Sequence, residues 1–194
     1  MSPPKILAFA GATRTQSWNK KLIRLGAAAA ERTGAEVTLV DLRDFPMPLY
    51  DGDIEAGQGL PPKARDLKAL ILAHEGLLLS CPEYNSSITA VLKNTIDWIS
   101  RPQPNEPAGY AFRGKVAGLL AASPGNLGGA RALLTVRQVL ATLGVIVLPT
   151  QFALARAAAA FNEDGTLKDD AHRTAVEGVA GELVTILKRL HTTG

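Results

Sequence analysis

Short apolar runs alternate along the chain with longer segments in which apolar and polar residues recur at helical spacing. The apolar runs cover Lys5–Ala10, Glu36–Asp41, Gly76–Ser80, Val116–Ala122 and residues 145–148. Runs of this kind are typical of strands that are buried on both faces, as in a parallel sheet. The pattern therefore predicts five strands.

The segments between these runs carry apolar residues three and four positions apart, which is the spacing of an amphipathic helix. Leu133, Val136 and Leu140 show it clearly. Gly34 and Gly144 follow two of the patterns, where a left-handed residue commonly ends a helix. Helices are predicted over residues 19–32, 62–74, 91–99, 131–143 and 176–190.

Strands that alternate with helices predict a doubly wound α/β fold. Right-handed crossovers limit the topology, and we favour a five-stranded parallel sheet of order 2-1-3-4-5 between two helical layers. The whole chain, residues 1–194, is predicted to form one domain. The polar stretch 45–62 is predicted to be a long surface loop.

The helix predicted over 91–99 is apolar over an unusually wide arc. Two adjoining faces carry Val91, Thr95 and Trp98, and Leu92, Ile96 and Ile99. Such a helix is deeply buried or lies at an interface between chains. We therefore expect a homodimer to which this helix contributes.

Three polar or glycine-rich segments follow the first, third and fourth predicted strands, at 11–19, 81–87 and 123–129. In an open α/β sheet, ligands bind beyond the carboxyl ends of the strands, where the strand order reverses. The three segments therefore predict one composite binding site.

The first segment, GATRTQSWN, opens a helix, and free backbone N–H groups at a helix start bind phosphate well. Thr13, Ser17 and Asn19 add neutral donors, and Arg14 adds a charged one. The segment lacks both G-x-G-x-x-G and a GK[ST] ending, so a monophosphate fits better than a dinucleotide or triphosphate. The alternative is a helix cap beside a surface arginine, without a ligand.

The second and third segments contain turns that suit a planar ring. A tight turn with exposed amides is predicted at Asn85, Ser86 and Ser87, and a second turn is predicted from Ser123 to Gly125. Glycines allow a backbone to approach a flat ligand closely. The alternatives are a plain strand-to-helix turn for the third segment, an ion-paired rather than catalytic Glu83, and a buried, unreactive Cys81.

Composition narrows the choice of partners. The net charge is +3 with scattered basic residues, which argues against nucleic acid and suits small anions. Cys81 is the single cysteine, so an intrachain disulfide is excluded and a reducing compartment fits. We expect a cytoplasmic protein without a membrane segment. The three histidines are too scattered for a metal triad, and a G-x-S-x-G elbow is absent.

Together the three segments resemble the NAD(P)H-dependent FMN reductase family, which includes quinone, azo-dye and chromate reductases. The first segment is similar to the family's G-S-x-R-x-x-S-x-N, the second to its P-E-Y-N-x-S-x-P-G-x-L-K-N-x-I-D-W, and the third to its S-P-G-x-x-G-G-x-R. Ala12, Ser86, Thr89 and Ala90 depart from these patterns.

The resemblance implies a flavodoxin-like fold, FMN as cofactor and NADPH or NADH as co-substrate. Hydride would pass through the flavin to a small acceptor (free flavin, a quinone, an azo compound or a metal oxyanion) in ping-pong turnover, without a catalytic side chain. The unit would be a homodimer or homotetramer. The cofactor-binding residues would be Thr13, Arg14, Gln16, Ser17, Trp18, Asn19, Pro82, Glu83, Tyr84, Asn85, Ser86, Ser123 and Gly125.

Arg101 is a candidate for contacting an anionic substrate, with a salt bridge as the alternative. Two other functions stay open at this point. A flavodoxin-type electron carrier would share the fold and FMN but would not turn over NAD(P)H, and a phosphate- or nucleotide-binding module would lack the flavin.

Overall fold

The computed structural model describes residues 2–192. The strands are β1 (Lys5–Ala10), β2 (Glu36–Asp41), β3 (Gly76–Ser80), β4 (Glu83–Tyr84), β5 (Ser87–Ile88), β6 (Val116–Ala122) and β7 (Ile146–Leu154). The helices are α1 (Trp18–Arg32), α2 (Gly52–Gln58), α3 (Pro62–Leu72), α4 (Ala90–Ile99), α5 (Ala130–Thr142), α6 (Ala157–Ala160) and α7 (Asp170–Thr192).

Five parallel strands form the main sheet, in the order β2-β1-β3-β6-β7. Counted within that sheet alone, the order is 2-1-3-4-5, so the predicted α/β fold and topology are confirmed. The order reverses between β1 and β3, which places their carboxyl ends beside one another.

Successive residues of the inner strands point to opposite faces of the sheet and fill two separate cores. In β1, Ile6 and Ala8 pack toward α1 and α7, whereas Leu7 and Phe9 pack toward α3, α4 and α5. All four of these residues are buried. This two-sided burial explains the continuous apolar runs in the sequence.

The structure adds elements that the apolar pattern does not predict. The stretch 45–62 contains the short helix α2, and the second polar segment contains the antiparallel pair β4 and β5. The last strand runs to Leu154 instead of ending at residue 148, and its register shifts beside Ala117 and Leu119. Since β7 is an edge strand, Pro149 can lie within it.

The wide apolar arc of α4 is buried within the chain. Trp98 is completely buried, packs against Leu60 and Ala64, and donates from its indole Nε1 to the Pro48 carbonyl at 2.8 Å. The loop between β2 and α3 therefore covers the face that suggested an interface. The homodimer stays a prediction, without support from this helix face.

None of the helices described between residues 2 and 192 is long and apolar enough to cross a membrane. Within the same residues, His, Cys, Asp and Glu side chains form no cluster that could hold a metal ion.

Candidate functional site

Asn19, at the start of α1, joins the ends of two neighbouring strands. Its Oδ1 accepts from Ser80 Oγ at 2.8 Å and from the Ala122 N–H at 2.9 Å, and its Nδ2 donates to the Ala122 carbonyl at 2.7 Å. Ser80 ends β3 and Ala122 ends β6. One buried amide thus draws the three predicted segments together.

A cavity of about 620 Å³ lies between these segments, within the range of small-molecule sites. Nine of the thirteen predicted cofactor residues line it, namely Thr13, Arg14, Ser17, Trp18, Asn19, Pro82, Glu83, Tyr84 and Ser123. The other four (Gln16, Asn85, Ser86 and Gly125) are not among its lining residues. The three segments therefore share one cavity, while the binding site and the ligand contacts of these residues stay predictions.

The start of α1 is chemically open toward this cavity. Ser17 is its N-cap, but the side chain makes no capping hydrogen bond, and the first turn contains no acidic residue. The first N–H groups of a helix have no partner within it. Arg14 lies over the Trp18 ring, with the guanidinium carbon 5.1 Å from the ring centroid. The arrangement is a ready anion site.

The turn between β4 and β5 adopts the left-handed backbone conformation at both central residues, with φ +50° at Asn85 and +66° at Ser86. This is the geometry of a tight hairpin turn that glycine and asparagine favour. Ser86 therefore keeps a glycine-like backbone, although it departs from the family pattern. The hairpin carries Tyr84, 63% exposed, to the rim of the cavity.

The carboxylate of Glu83 is committed to the start of α5. Its Oε2 accepts from the backbone N–H of Arg131 at 3.0 Å and of Ala132 at 3.3 Å, and Oε1 lies 2.7 Å from Arg131 Nη2. The ion-paired interpretation of Glu83 is thus confirmed. Glu83 fixes α5 against the hairpin. Because its carboxylate is bound by Arg131 and Ala132, we do not assign it a role as a general acid or base.

Thr89 is a site residue that the sequence interpretation missed. Its Oγ1 donates to the Gly11 carbonyl at 2.7 Å and accepts from the Leu92 N–H at 3.3 Å, so it caps α4 and ties it to the first segment. Gly11 allows this approach, since an added Cβ would lie 2.9 Å from Leu92 Cβ. The signal was a threonine directly before an apolar helix, which is a typical N-cap.

The third segment is held by the last residue of β7 and by the chain that follows this strand. The N–H of Ser123 donates to the Leu154 carbonyl at 3.1 Å, and the N–H of Arg156 donates to the Gly125 carbonyl at 3.1 Å. Gly129 has φ +97°, and an added Cβ would lie 2.8 Å from Ala121 Cβ. The predicted glycine requirement at this turn therefore has a steric cause.

Two other candidates have structural roles. Burial raises the pKa of the Cys81 thiol to about 12, which keeps it protonated and unreactive at neutral pH. Arg101 is not among the residues lining the cavity, and its Nε lies 2.8 Å from Glu55 Oε2. The salt-bridge alternative for Arg101 is the one that the structure shows.

Known proteins of one family resemble this chain in sequence. The family model described as NADPH-dependent FMN reductase matches residues 4–159. An NAD(P)H-dependent FMN reductase of Pseudomonas aeruginosa is 36% identical over 187 residues, which cover 96% of each chain. A quinone reductase of Escherichia coli K12 is 32% identical over 144 residues, which cover 74% of this chain and 73% of that protein.

Among solved structures, the flavoenzyme NAD(P)H:(acceptor) oxidoreductase FerB of Paracoccus denitrificans superimposes with a TM-score of 0.80. It is 26% identical, and the match covers 96% of this chain and 98% of FerB. Of the three functions that the sequence left open, these matches confirm the oxidoreductase. The chain belongs to the NADPH-dependent FMN reductase family and is an NAD(P)H-dependent FMN or quinone reductase of that family.

Proposed function

We propose that the cavity binds FMN, with the phosphate at the start of α1 and the ring between the hairpin and the third segment. The observation that carries this proposal is the uncapped first turn of α1 at the wall of a cavity of about 620 Å³. Thr13, Arg14 and Ser17 would hold the phosphate, and Pro82, Tyr84 and Ser123 would line the ring. The residues present therefore fit the cofactor that the family name implies.

Bound FMN would supply the hydride chemistry, accepting hydride from NAD(P)H and passing electrons to an acceptor. The chain would hold FMN in position and would not supply a general acid or base, because the Glu83 carboxylate is bound to Arg131 at the start of α5. Asn19 would keep the walls of the cavity at a fixed separation. Since one cavity would receive NAD(P)H and acceptor in turn, we expect ping-pong kinetics.

The names of the relatives support quinones and free flavin as acceptors. We propose a quinone as the first acceptor to test, with azo compounds and metal oxyanions as further candidates. A homodimer or homotetramer, a preference for NADPH or NADH, and a cytoplasmic location also stay proposals.

The test is to fill the cavity by mutation. Ala90 lies at its wall and Lys93 lies three positions further along α4, outside the lining; both are exposed. We expect wild type and Lys93→Phe to retain FMN and to oxidise NAD(P)H with added quinone. Ala90→Phe should lose both properties and keep its far-ultraviolet circular dichroism. Normal FMN content in Ala90→Phe, or a colourless wild type that rejects added FMN, would refute the proposed site.

A further inference from the structure

Two cationic side chains approach the backbone of the first segment from outside the cavity. Arg43 Nη2 donates to the Thr13 carbonyl at 2.5 Å, and Lys20 Nζ donates to the same oxygen at 3.3 Å. Thr13 lines the cavity, whereas Lys20 and Arg43 do not. Because neither cation lines the cavity, both act on the site through the backbone that they hold and through their charge.

Asp41, the last residue of β2, organises this arrangement. Its Oδ2 lies 2.5 Å from Lys20 Nζ, and its Oδ1 accepts from the Arg43 N–H at 3.0 Å. Burial alone would raise the pKa of Asp41, but the hydrogen bonds from Lys20 and Arg43 and their charges hold that pKa below its ordinary value. The carboxylate is therefore ionised at neutral pH and keeps both cations in place.

The position of Lys20 is electrostatically unfavourable without an anion nearby. It lies in the first turn of α1, at the positive end of the helix dipole, and is only 6% exposed. Asp41 offsets one positive charge. Arg24 and Asp44, which line a groove together with Lys20 and Asp41, carry opposite charges that offset each other. The first segment is thus surrounded by three positive charges, on Lys20, Arg43 and Arg14, and by one negative charge, on Asp41. This net positive charge suits a phosphate monoester.

We propose that Lys20, Asp41 and Arg43 form a cationic bracket that positions Thr13 and makes the site select flavin phosphate over the unphosphorylated flavin. This inference rests on the proposed FMN site and deepens it. The three residues are positioning residues, because they act through the Thr13 backbone and through charge. The bracket adds the end of β2 to a site that the sequence assigned to β1, β3 and β6.

The experiment compares dissociation constants for FMN and riboflavin, measured by quenching of flavin fluorescence in apoprotein prepared from the purified protein. The variants are Arg43→Ala, Arg43→Lys and the control Arg24→Ala, which removes an exposed arginine that lies on α1 and has no contact with Thr13. Riboflavin binding shows in each variant that the ring site is intact.

We expect Arg43→Ala to weaken FMN binding about tenfold, because the Thr13 carbonyl loses a charged donor and the site loses one positive charge. Riboflavin binding should change less than about twofold. Arg43→Lys should recover part of the FMN affinity, and Arg24→Ala should stay near wild type. Equal losses for FMN and riboflavin, or equal effects of Arg43→Ala and Arg24→Ala, would overturn the bracket. A wild type that binds neither flavin would overturn the proposed function itself, and the bracket with it.

Discussion

The side-chain amide of Asn19 connects the ends of β3 and β6 beside the cavity, and we expect its removal to lower the free energy of unfolding. Asn19→Ala would leave Ser80 Oγ and the N–H and carbonyl of Ala122 without their partner. Because buried polar groups without partners are costly, we expect the free energy of unfolding to fall by about 2–4 kcal/mol, measured by urea denaturation.

The matched control is Asn162→Ala, which removes an exposed asparagine whose amide donates to Thr166 Oγ1 at 2.9 Å. It should cost less than about 1 kcal/mol, since water replaces an exposed partner. If Asn19→Ala were as mild as this control, the amide would not be what holds the strand ends together.

The roles of individual site residues were harder to predict from the sequence than their location. The sequence suggests Asn19 as a donor to phosphate, and it leaves Glu83 open between a catalytic role and an ion pair. The partners that the structure shows for both side chains lie far along the chain: Ala122 is 103 residues from Asn19, and Arg131 is 48 residues from Glu83. Local pattern carries no information on such contacts, although it does place each residue at the carboxyl edge of the sheet.

Among the helices and strands, those that are buried could be predicted, because burial leaves a pattern of apolar residues in the sequence. The inner strands β1, β3 and β6 are almost wholly buried, so each produces a continuous apolar run. Helix α2 has no buried residue, and its sequence GDIEAGQ shows no apolar face to detect. The far half of β7 was missed for a related reason, since an exposed edge strand tolerates proline and polar residues.

Helix α2 nevertheless contacts the end of α4, both through Ile54, which packs against the cluster of Leu60, Ala64 and Trp98, and through a polar contact. Glu55 pairs with Arg101 at 2.8 Å and accepts from Tyr50 Oη at 2.8 Å. The hydrogen bond from Arg101, with a second from Tyr50, lowers the pKa of Glu55 below its ordinary value despite some desolvation. Stability from this pair is therefore present above the ordinary carboxyl pKa and is lost as the pH falls through the lowered one.

We expect Arg101→Gln and Glu55→Gln each to lower the free energy of unfolding by about 1 kcal/mol or less at pH 7, because the pair is partly exposed. Both effects should shrink as the pH falls from 7 toward 3, because protonation of Glu55 removes the charge that Arg101 pairs with. Urea denaturation at the two pH values measures this. Neither variant should change KM for a quinone; a change confined to Arg101→Gln would restore the predicted substrate contact.

At the scale of the whole molecule, the two ends of the sheet differ in their use of polar groups. At the amino end, Lys115 Nζ donates to the His74 carbonyl, and the His74 ring contacts the Leu70 carbonyl and Thr38 Oγ1. Each of these groups therefore has a hydrogen-bond partner within the protein. At the carboxyl end, the first turn of α1 and the rim of the cavity keep donors and an exposed Tyr84 available to a ligand. Among the described residues, the open first turn of α1 therefore lies at the carboxyl end of the sheet, where the binding site is proposed.

The carboxyl end also carries the apolar surface on which a second copy would pack. Tyr84, Leu127 and Leu134 are 63%, 55% and 63% exposed, and they lie on the hairpin, the third segment and α5, which adjoin one another. Large exposed apolar residues on adjoining elements are typical of subunit interfaces. We expect a homodimer through this surface, in place of the α4 face.

Sedimentation velocity should give wild type a mass of about twice the 20.5 kDa chain, or a multiple of that dimer. Leu134→Lys should shift the protein toward the monomer, because a buried lysine without a partner opposes association. Ile146→Lys is the control, since Ile146 is 53% exposed but begins β7 at the opposite end of the sheet. A monomeric wild type would contradict the dimer, and a dimer that survives Leu134→Lys would place its interface elsewhere on the chain.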